Sequence, residues 1–442
     1  MSRRVGSGLL LAALAACGGS GGGDGGEPPR TWTPAGGSAT VALNDAAPFM
    51  QFAPGIDASE MAGVSQGREL FVAEWQPAPG PRTLIDGLGP LFNANACTSC
   101  HVADGRVPPL AEGGATTPGV LFRIGNAEGQ VHPLYGGQLQ DQATAGLAEG
   151  RVNWSQEAAA GALTYTATLF GEVGLEGFHL GPRIAPQLLG MGLLDRVSED
   201  HILAGADPDD RDGDGVSGRV HWVNEDGATR VGRFGWKAIN ASLRTQNAGA
   251  LHQDMGLTSP VRPAENCTAL QTVCAEQPGG GSPEVSEASL SAIVDFMTVL
   301  AVPERRIAER AAFDRGAALF ERVGCAACHR PTLLTGGGAR FPGLSGQTVY
   351  AYTDLLLHDM GEALGDGVKE GDAQPAEWRT PPLWGIGLVE RKPGARFLHD
   401  GRAASLREAI GWHGGEALGA RTRFQALGDA DQALLLQFLR GI

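Results

Sequence analysis

The chain has 442 residues, 42% of them apolar, enough for two or three domains with packed cores and too much for a disordered carrier. Its formal charge of −15, from 34 Lys and Arg against 49 Asp and Glu, argues against non-specific nucleic-acid binding and favours a protein partner with a basic face. With 67 Gly, 27 Pro and only 4 Tyr, many loops around short helices are expected.

The first sixteen residues combine two arginines, the apolar run from Leu9 to Leu14 and the small-residue stretch Leu14-Ala15-Ala16-Cys17. This is the pattern of a lipoprotein signal peptide, residues 1–16, with Cys17 as the lipidated residue. An ordinary secretory leader with an unlipidated Cys17 is the other reading, and in both the chain is exported. The apolar run is too short for a permanent transmembrane helix. A glycine-rich tether over 17–45 is expected to follow, leading into a globular region.

Two pentapeptides dominate the remainder: Cys97-Thr98-Ser99-Cys100-His101 and Cys325-Ala326-Ala327-Cys328-His329. Cys-x-x-Cys-His is the attachment signature of c-type haem, in which two thiols form thioethers with the porphyrin and the adjacent imidazole coordinates iron. An isolated Cys-x-x-Cys could be a redox dithiol or half a zinc site. Both copies here continue into His, and each follows a Gly-x-x-Leu/Phe lead-in, taken as Gly89-Pro90-Leu91-Phe92 and Gly316-Ala317-Ala318-Leu319-Phe320. Two covalently bound haems are therefore expected.

Between the motifs, Gly119 to Ile124 and Ala162 to Phe170 alternate apolar and polar residues and read as strands, so an insert with some β structure is expected over about 117–231. It either covers the first haem and shapes a channel, or buttresses the domain. Asp210, Asp212 and Asp214, followed by Gly215, match the first half of a calcium loop. The twelfth position is His221 instead of the closing Glu, so a solvated acidic turn stands beside the calcium reading. Of seven cysteines, Cys267 and Cys274 remain, and a small structural disulfide is the default outside the cytoplasm.

Leu290, Ile293, Val294, Met297 and Ala301 recur at helical spacing up to Pro303, as do Leu435, Phe438, Leu439 and Ile442 at the chain end. Two closing helices predict a mainly α fold of two cytochrome c-type haem domains: 46–305, carrying the insert, and 306–442.

From about Gln66 onward the chain resembles the di-haem oxidoreductases, also called thiol oxidoreductases, related to bacterial di-haem cytochrome c peroxidases. The elements carrying the resemblance are Gly235-Trp236-Lys237-Ala238, Asp354 to Gly361, Trp378 to Gly385 and Leu398 to Ala403. In those peroxidases a His-Asp/Asn-Gly element is followed, fourteen positions after its His, by the distal ligand of the C-terminal haem. Here the element is His399-Asp400-Gly401 and the fourteenth position is His413, which the resemblance makes the partner of His329, with His358 and Met360 as alternatives. The second haem would then be bis-imidazole, suited to electron storage and transfer.

Where many relatives place a second His about sixteen residues past the first motif, this chain has Thr117, so the first haem is expected to keep an open sixth position; His132, His179 and His252 are the more distant candidates to fill it. The resemblance also implies that Trp236 couples the haems, while Gln246 and Asp254 flank peroxide at the first iron. The acid falls two positions earlier than in the relatives. The implied function is an exported, lipid-anchored di-haem oxidoreductase, peroxidase-like, facing the periplasm from the outer membrane. Its expected donor is a small soluble redox protein of the cytochrome c or cupredoxin type. An electron-transfer relay and a di-haem oxygenase or protein-modifying oxidase are the alternatives.

Overall fold

The computed structural model describes residues 34–146, 148–156 and 163–442, so the leader, Cys17 and most of the expected tether lie outside the described residues. Residues 34–45, assigned to the tether on sequence, are packed on the body. Ala35 and Ala39 are buried, and Thr40–Val41 pairs in parallel with Val302–Pro303. The architecture is mixed rather than mainly α: helices of up to fifteen residues alternate with small two-stranded sheets. Among the described residues no helix is long and apolar enough to cross a membrane.

Two crossed helix pairs organise the core. Helix Ala58–Val72 packs on Glu287–Thr298, and Arg310–Arg322 packs on the terminal Asp429–Gly441. The first helix opens on a capping box in which Glu60 accepts from the Asp57 amide at 3.0 Å, and Ser286 accepts from the Ser289 amide to start its partner. Each crossing has a glycine at closest approach. A Cβ on Gly67 would lie 1.9 Å from the Ala292 carbonyl oxygen, and one on Gly316 would lie 2.4 Å from that of Leu434.

Four residues beyond each glycine stands a phenylalanine that bridges the partner helix and a motif histidine. Phe71 lies 5.0 Å from Phe296 and 6.5 Å from His101, and Phe320 lies 5.3 Å from Phe438 and 6.4 Å from His329. Burying each such ring contributes on the order of 2–3 kcal/mol. The first lead-in is therefore Gly67-Arg68-Glu69-Leu70-Phe71, not Gly89 to Phe92. Leu91–Phe92 instead forms a two-residue strand paired with Gln142–Ala143, because a long loop separates the first helix from its motif.

The insert has its own small core of Val120, Phe122, Ile124, Tyr135, Leu139, Val152 and Ile184. Val120–Gly125 pairs antiparallel with His179–Ile184, and Gly150–Gln156 with Leu163–Leu169, where alternate residues turn inward as the period of two requires. The insert is fastened to the far end of the chain: the Ile184 amide donates to the His399 carbonyl at 2.7 Å, and the Tyr165 hydroxyl donates to the Asp400 carbonyl at 2.7 Å. The helix that carries Leu290 to Met297 ends at Thr298, before Pro303.

Candidate haem-binding active site

Each Cys-x-x-Cys-His run is a tight turn closed by the His amide donating to the first Cys carbonyl at 2.9 Å, for His101 to Cys97 and for His329 to Cys325. Both turns line one continuous cavity of about 1420 Å³. The four cysteines are not disulfide-bonded, and burial pushes the Cys97 and Cys100 thiols up, with the Asp254 charge adding to it. The His101 Nδ1 lies 3.2 Å from the Gly105 carbonyl and the His329 Nδ1 lies 3.0 Å from the Tyr352 carbonyl. A carbonyl only accepts, so the proton sits on Nδ1 and Nε2 keeps its lone pair for a metal. Burial holds both rings neutral; for His329, helped by His413, it lowers the pKa to about 4. Paired thiols beside an imidazole in that tautomer, repeated on one large cavity, fit the donor set of two c-type haems.

Opposite His329 stands His413. It caps the C-terminus of Leu406–Trp412, a helix begun by Ser405 accepting from the Glu408 amide, and its Nδ1 donates to the Ala409 carbonyl at 2.8 Å. The His329 and His413 ring centroids are 6.5 Å apart. Two imidazoles on one metal, with metal–nitrogen bonds of about 2 Å and centroids ~1 Å behind each nitrogen, have centroids roughly 6 Å apart. His358 differs: its Nε2 meets Asp354 Oδ2 at 2.9 Å and its Nδ1 meets Glu416 Oε2 at 2.7 Å, so both nitrogens are engaged. Met360 is half-buried on the cavity wall, its amide donating to the Ala376 carbonyl.

Around the first motif the cavity wall carries different chemistry. Asp254 lies in helix Leu243–Met255, and its carbonyl accepts from the Asn93 and Ala94 amides at 2.8 and 3.0 Å, which fixes it just ahead of Cys97. Its carboxylate faces the cavity but is enclosed by protein, and burial raises its pKa to about 6 against the opposing pull of Gln138 and Arg123. Gln246 lines the same cavity, its Oε1 accepting from Asn240 Nδ2 at 3.0 Å. Trp236 donates from Nε1 to the Ile184 carbonyl at 2.9 Å. Its ring is edge-on to His399 at 6.4 Å, and His399 stacks on Trp378 at 3.5 Å.

None of the three distant histidines lines the cavity. His132 uses Nε2 on the Gly174 carbonyl and Nδ1 on the Leu134 and Tyr135 amides, His252 meets the Ala264 carbonyl, and His179 is exposed on the insert. Thr117 ties a loop, donating from Oγ1 to the Pro108 carbonyl at 2.7 Å.

Sequence reasoning missed Gln138 and Arg123, which come from the insert. Gln138 Nε2 donates to Asp254 Oδ1 at 2.9 Å, and Arg123 donates to Gln138 and Gln253. Since Leu121, Arg123, Ile124 and Gln138 all line the cavity, the insert forms its wall as well as bracing the fold.

In the acidic loop, the Asp210, Asp212 and Asp214 ligand atoms lie within 4.8 Å of one another, yet each accepts from a loop amide: Gly215, Asp214 and Val216 respectively. Both His221 nitrogens have other partners, Nδ1 lying 2.7 Å from the Lys237 carbonyl and Nε2 accepting from the Asp372 amide at 3.1 Å. Cys267 and Cys274 form a disulfide with Cα atoms 5.8 Å apart.

The family described as "Di-haem oxidoreductase, putative peroxidase" matches residues 31–132 and 166–442. A solved structure, "Kuenenia stuttgartiensis Hydrazine Synthase Pressurized with 20 bar Xenon", is similar at 14% identity and a TM-score of 0.37, over 99% of this chain and 100% of that chain. No curated protein matches.

Proposed function

The chain belongs to the di-haem oxidoreductase family, and on that premise we propose that it is an exported, lipid-anchored di-haem c-type peroxidase that reduces hydrogen peroxide by two electrons. The observation that carries this reading is the asymmetry of one cavity: the second Cys-x-x-Cys-His faces His413 at 6.5 Å, whereas the first lies beside an enclosed acid and two amides.

When bound, the two haems supply a pair of one-electron centres, one of them open to peroxide. His329 and His413 would hold the second haem and would keep substrate away from it. Asp254 accepts the proton of the inner peroxide oxygen on its carboxylate and returns it to the outer one. Gln138 and Arg123 keep that carboxylate ionised near neutral pH, and Gln246 offers its amide to the substrate oxygens. Trp236, pinned to the insert through Ile184 on the cavity wall, would couple the two centres. One peroxide, two electrons and two protons give two waters, with no radical released.

The net charge of −15 supports a basic, small redox protein as donor, and the Leu14 to Cys17 pattern supports anchoring at Cys17 in the periplasm. Carbon monoxide added to the reduced protein tests the reading: one haem of the two should shift its spectrum, while no shift would leave an electron relay.

A further inference from the structure

A buried cation needs an anion. Taking a guanidinium out of water costs several kcal/mol unless a countercharge and hydrogen bonds offset it. On the cavity wall two buried arginines have one: Arg183 meets Asp366 at 2.5 Å and Glu370 at 2.6 Å, and Arg233 lies 3.8 Å from Glu199.

Two arginines on the same wall do not. Arg106 and Arg379 are 7% and 8% exposed, and both line the cavity. Arg106 donates to the Arg396 carbonyl, and Arg379 donates to the Gly235 and Thr380 carbonyls at 2.9 and 3.1 Å. Among the described residues no carboxylate forms an ion pair with either. Burial lowers each guanidinium to about 10, unopposed at Arg106 and only partly opposed by the Asp354 charge at Arg379. Around Arg106 the deficit deepens, since its charge adds to the burial that lowers the Lys392 ammonium.

Carbonyl oxygens satisfy part of each fork and leave the charge unbalanced. A planar carboxylate is the group a guanidinium pairs with best. Among the described residues no carboxylate pairs with either fork, Asp354 reaching Arg379 only through its field, but a porphyrin brings two, on the edge remote from its thioether links. We propose that Arg106 and Arg379 each hold a haem propionate, Arg106 for the group attached at Cys97 and Cys100 and Arg379 for the group attached at Cys325 and Cys328.

The sequence supports this assignment. Arg106 follows His101 by five residues, and Gly105 between them accepts from the His101 ring. Arg379 shares the field of Asp354 with His329. Its amide donates to the Trp236 carbonyl at 2.9 Å, so it stands beside the residue proposed to couple the haems.

The inference rests on the two-haem reading, and the test separates them. Because thioethers attach each haem, R106Q and R379Q should keep both haems while losing the propionate contact. Removing a cation favours the ferric state, so spectroelectrochemical titration should show one midpoint potential falling in each variant, the first haem's in R106Q and the second haem's in R379Q, with the other unmoved. R106K and R379K should restore much of each potential. Unmoved potentials in two-haem variants, or equal falls at both haems, would overturn the inference. If a glutamine variant does not fold, the intact protein decides: a propionate held by guanidinium stays ionised, so the second haem's potential should be flat across neutral pH, and a slope would overturn the Arg379 assignment. Fewer than two haems per chain by pyridine haemochrome would instead sink the two-haem reading itself.

Discussion

Gln138 donates from Nε2 to Asp254 Oδ1 at 2.9 Å, joining the insert to the acid beside the first Cys-x-x-Cys-His turn. A hydrogen bond to the charged form lowers a carboxyl pKa and burial raises it; here burial prevails and Asp254 stands at about 6. A base works when deprotonated, so peroxide turnover should be low below pH 6 and rise through it. Gln138→Leu removes the opposing hydrogen bond and should move that rising limb to higher pH. Steady-state rates against pH with a reduced cytochrome as donor check both.

Asp254→Asn should remove the limb altogether and lower turnover by something on the order of 10²–10⁴, the range expected for a lost proton shuttle. Carbon monoxide binding to the reduced variant should persist, because the asparagine leaves the cavity in place. Turnover close to that of the unaltered protein would remove Asp254 from the chemistry.

His413→Ala should convert the second haem from low to high spin, while His413→Met should keep it six-coordinate at a raised potential. His358→Ala should leave the spin state untouched, since both His358 nitrogens are occupied by carboxylates. A low-spin second haem in His413→Ala, read by electron paramagnetic resonance, would hand the ligand role to Met360.

The effect of His358 should appear in stability. Burial alone would lower its pKa, but hydrogen bonds to Asp354, Cys328 and Glu416 raise it well above the usual value. The stabilisation is full below the unfolded value of about 6.5 and is lost as pH rises through the folded one. Denaturant unfolding across a pH series should therefore show a decline on the alkaline side that His358→Ala lacks. The variant itself should be destabilised by about 3–5 kcal/mol, the cost of breaking a buried charge cluster.

Gly67→Ala and Gly316→Ala should each destabilise the fold by about 1–3 kcal/mol or more, because the added methyl meets a backbone carbonyl of the crossing helix that cannot move alone. Each should also disturb haem attachment in its own half through Phe71 or Phe320. Thermal unfolding and haem content of the two variants measure this; two fully stable variants would refute the crossing geometry.

Local patterns were legible in the sequence. The two Cys-x-x-Cys-His turns, the terminal helix with Leu435 and Phe438 buried, and the alternating strands at Val120 and Leu163 all carry short-range signals. The helical repeat before the first motif was not, because Phe71 reaches His101 across a long loop while Leu91–Phe92 offered an imitation closer by. Gln138 and Arg123 left no spacing signal either, since an insert residue reaches Asp254 only once the sheet is docked. The fold class leaned too far to helix because the strands pair in twos, each too short to dominate a composition.

In the proposed peroxidase one iron is closed on both faces and the other is open, and electron paramagnetic resonance of the resting protein distinguishes the two. A high-spin ferric signal is expected beside a low-spin bis-imidazole signal of equal intensity; two low-spin signals would overturn the proposal.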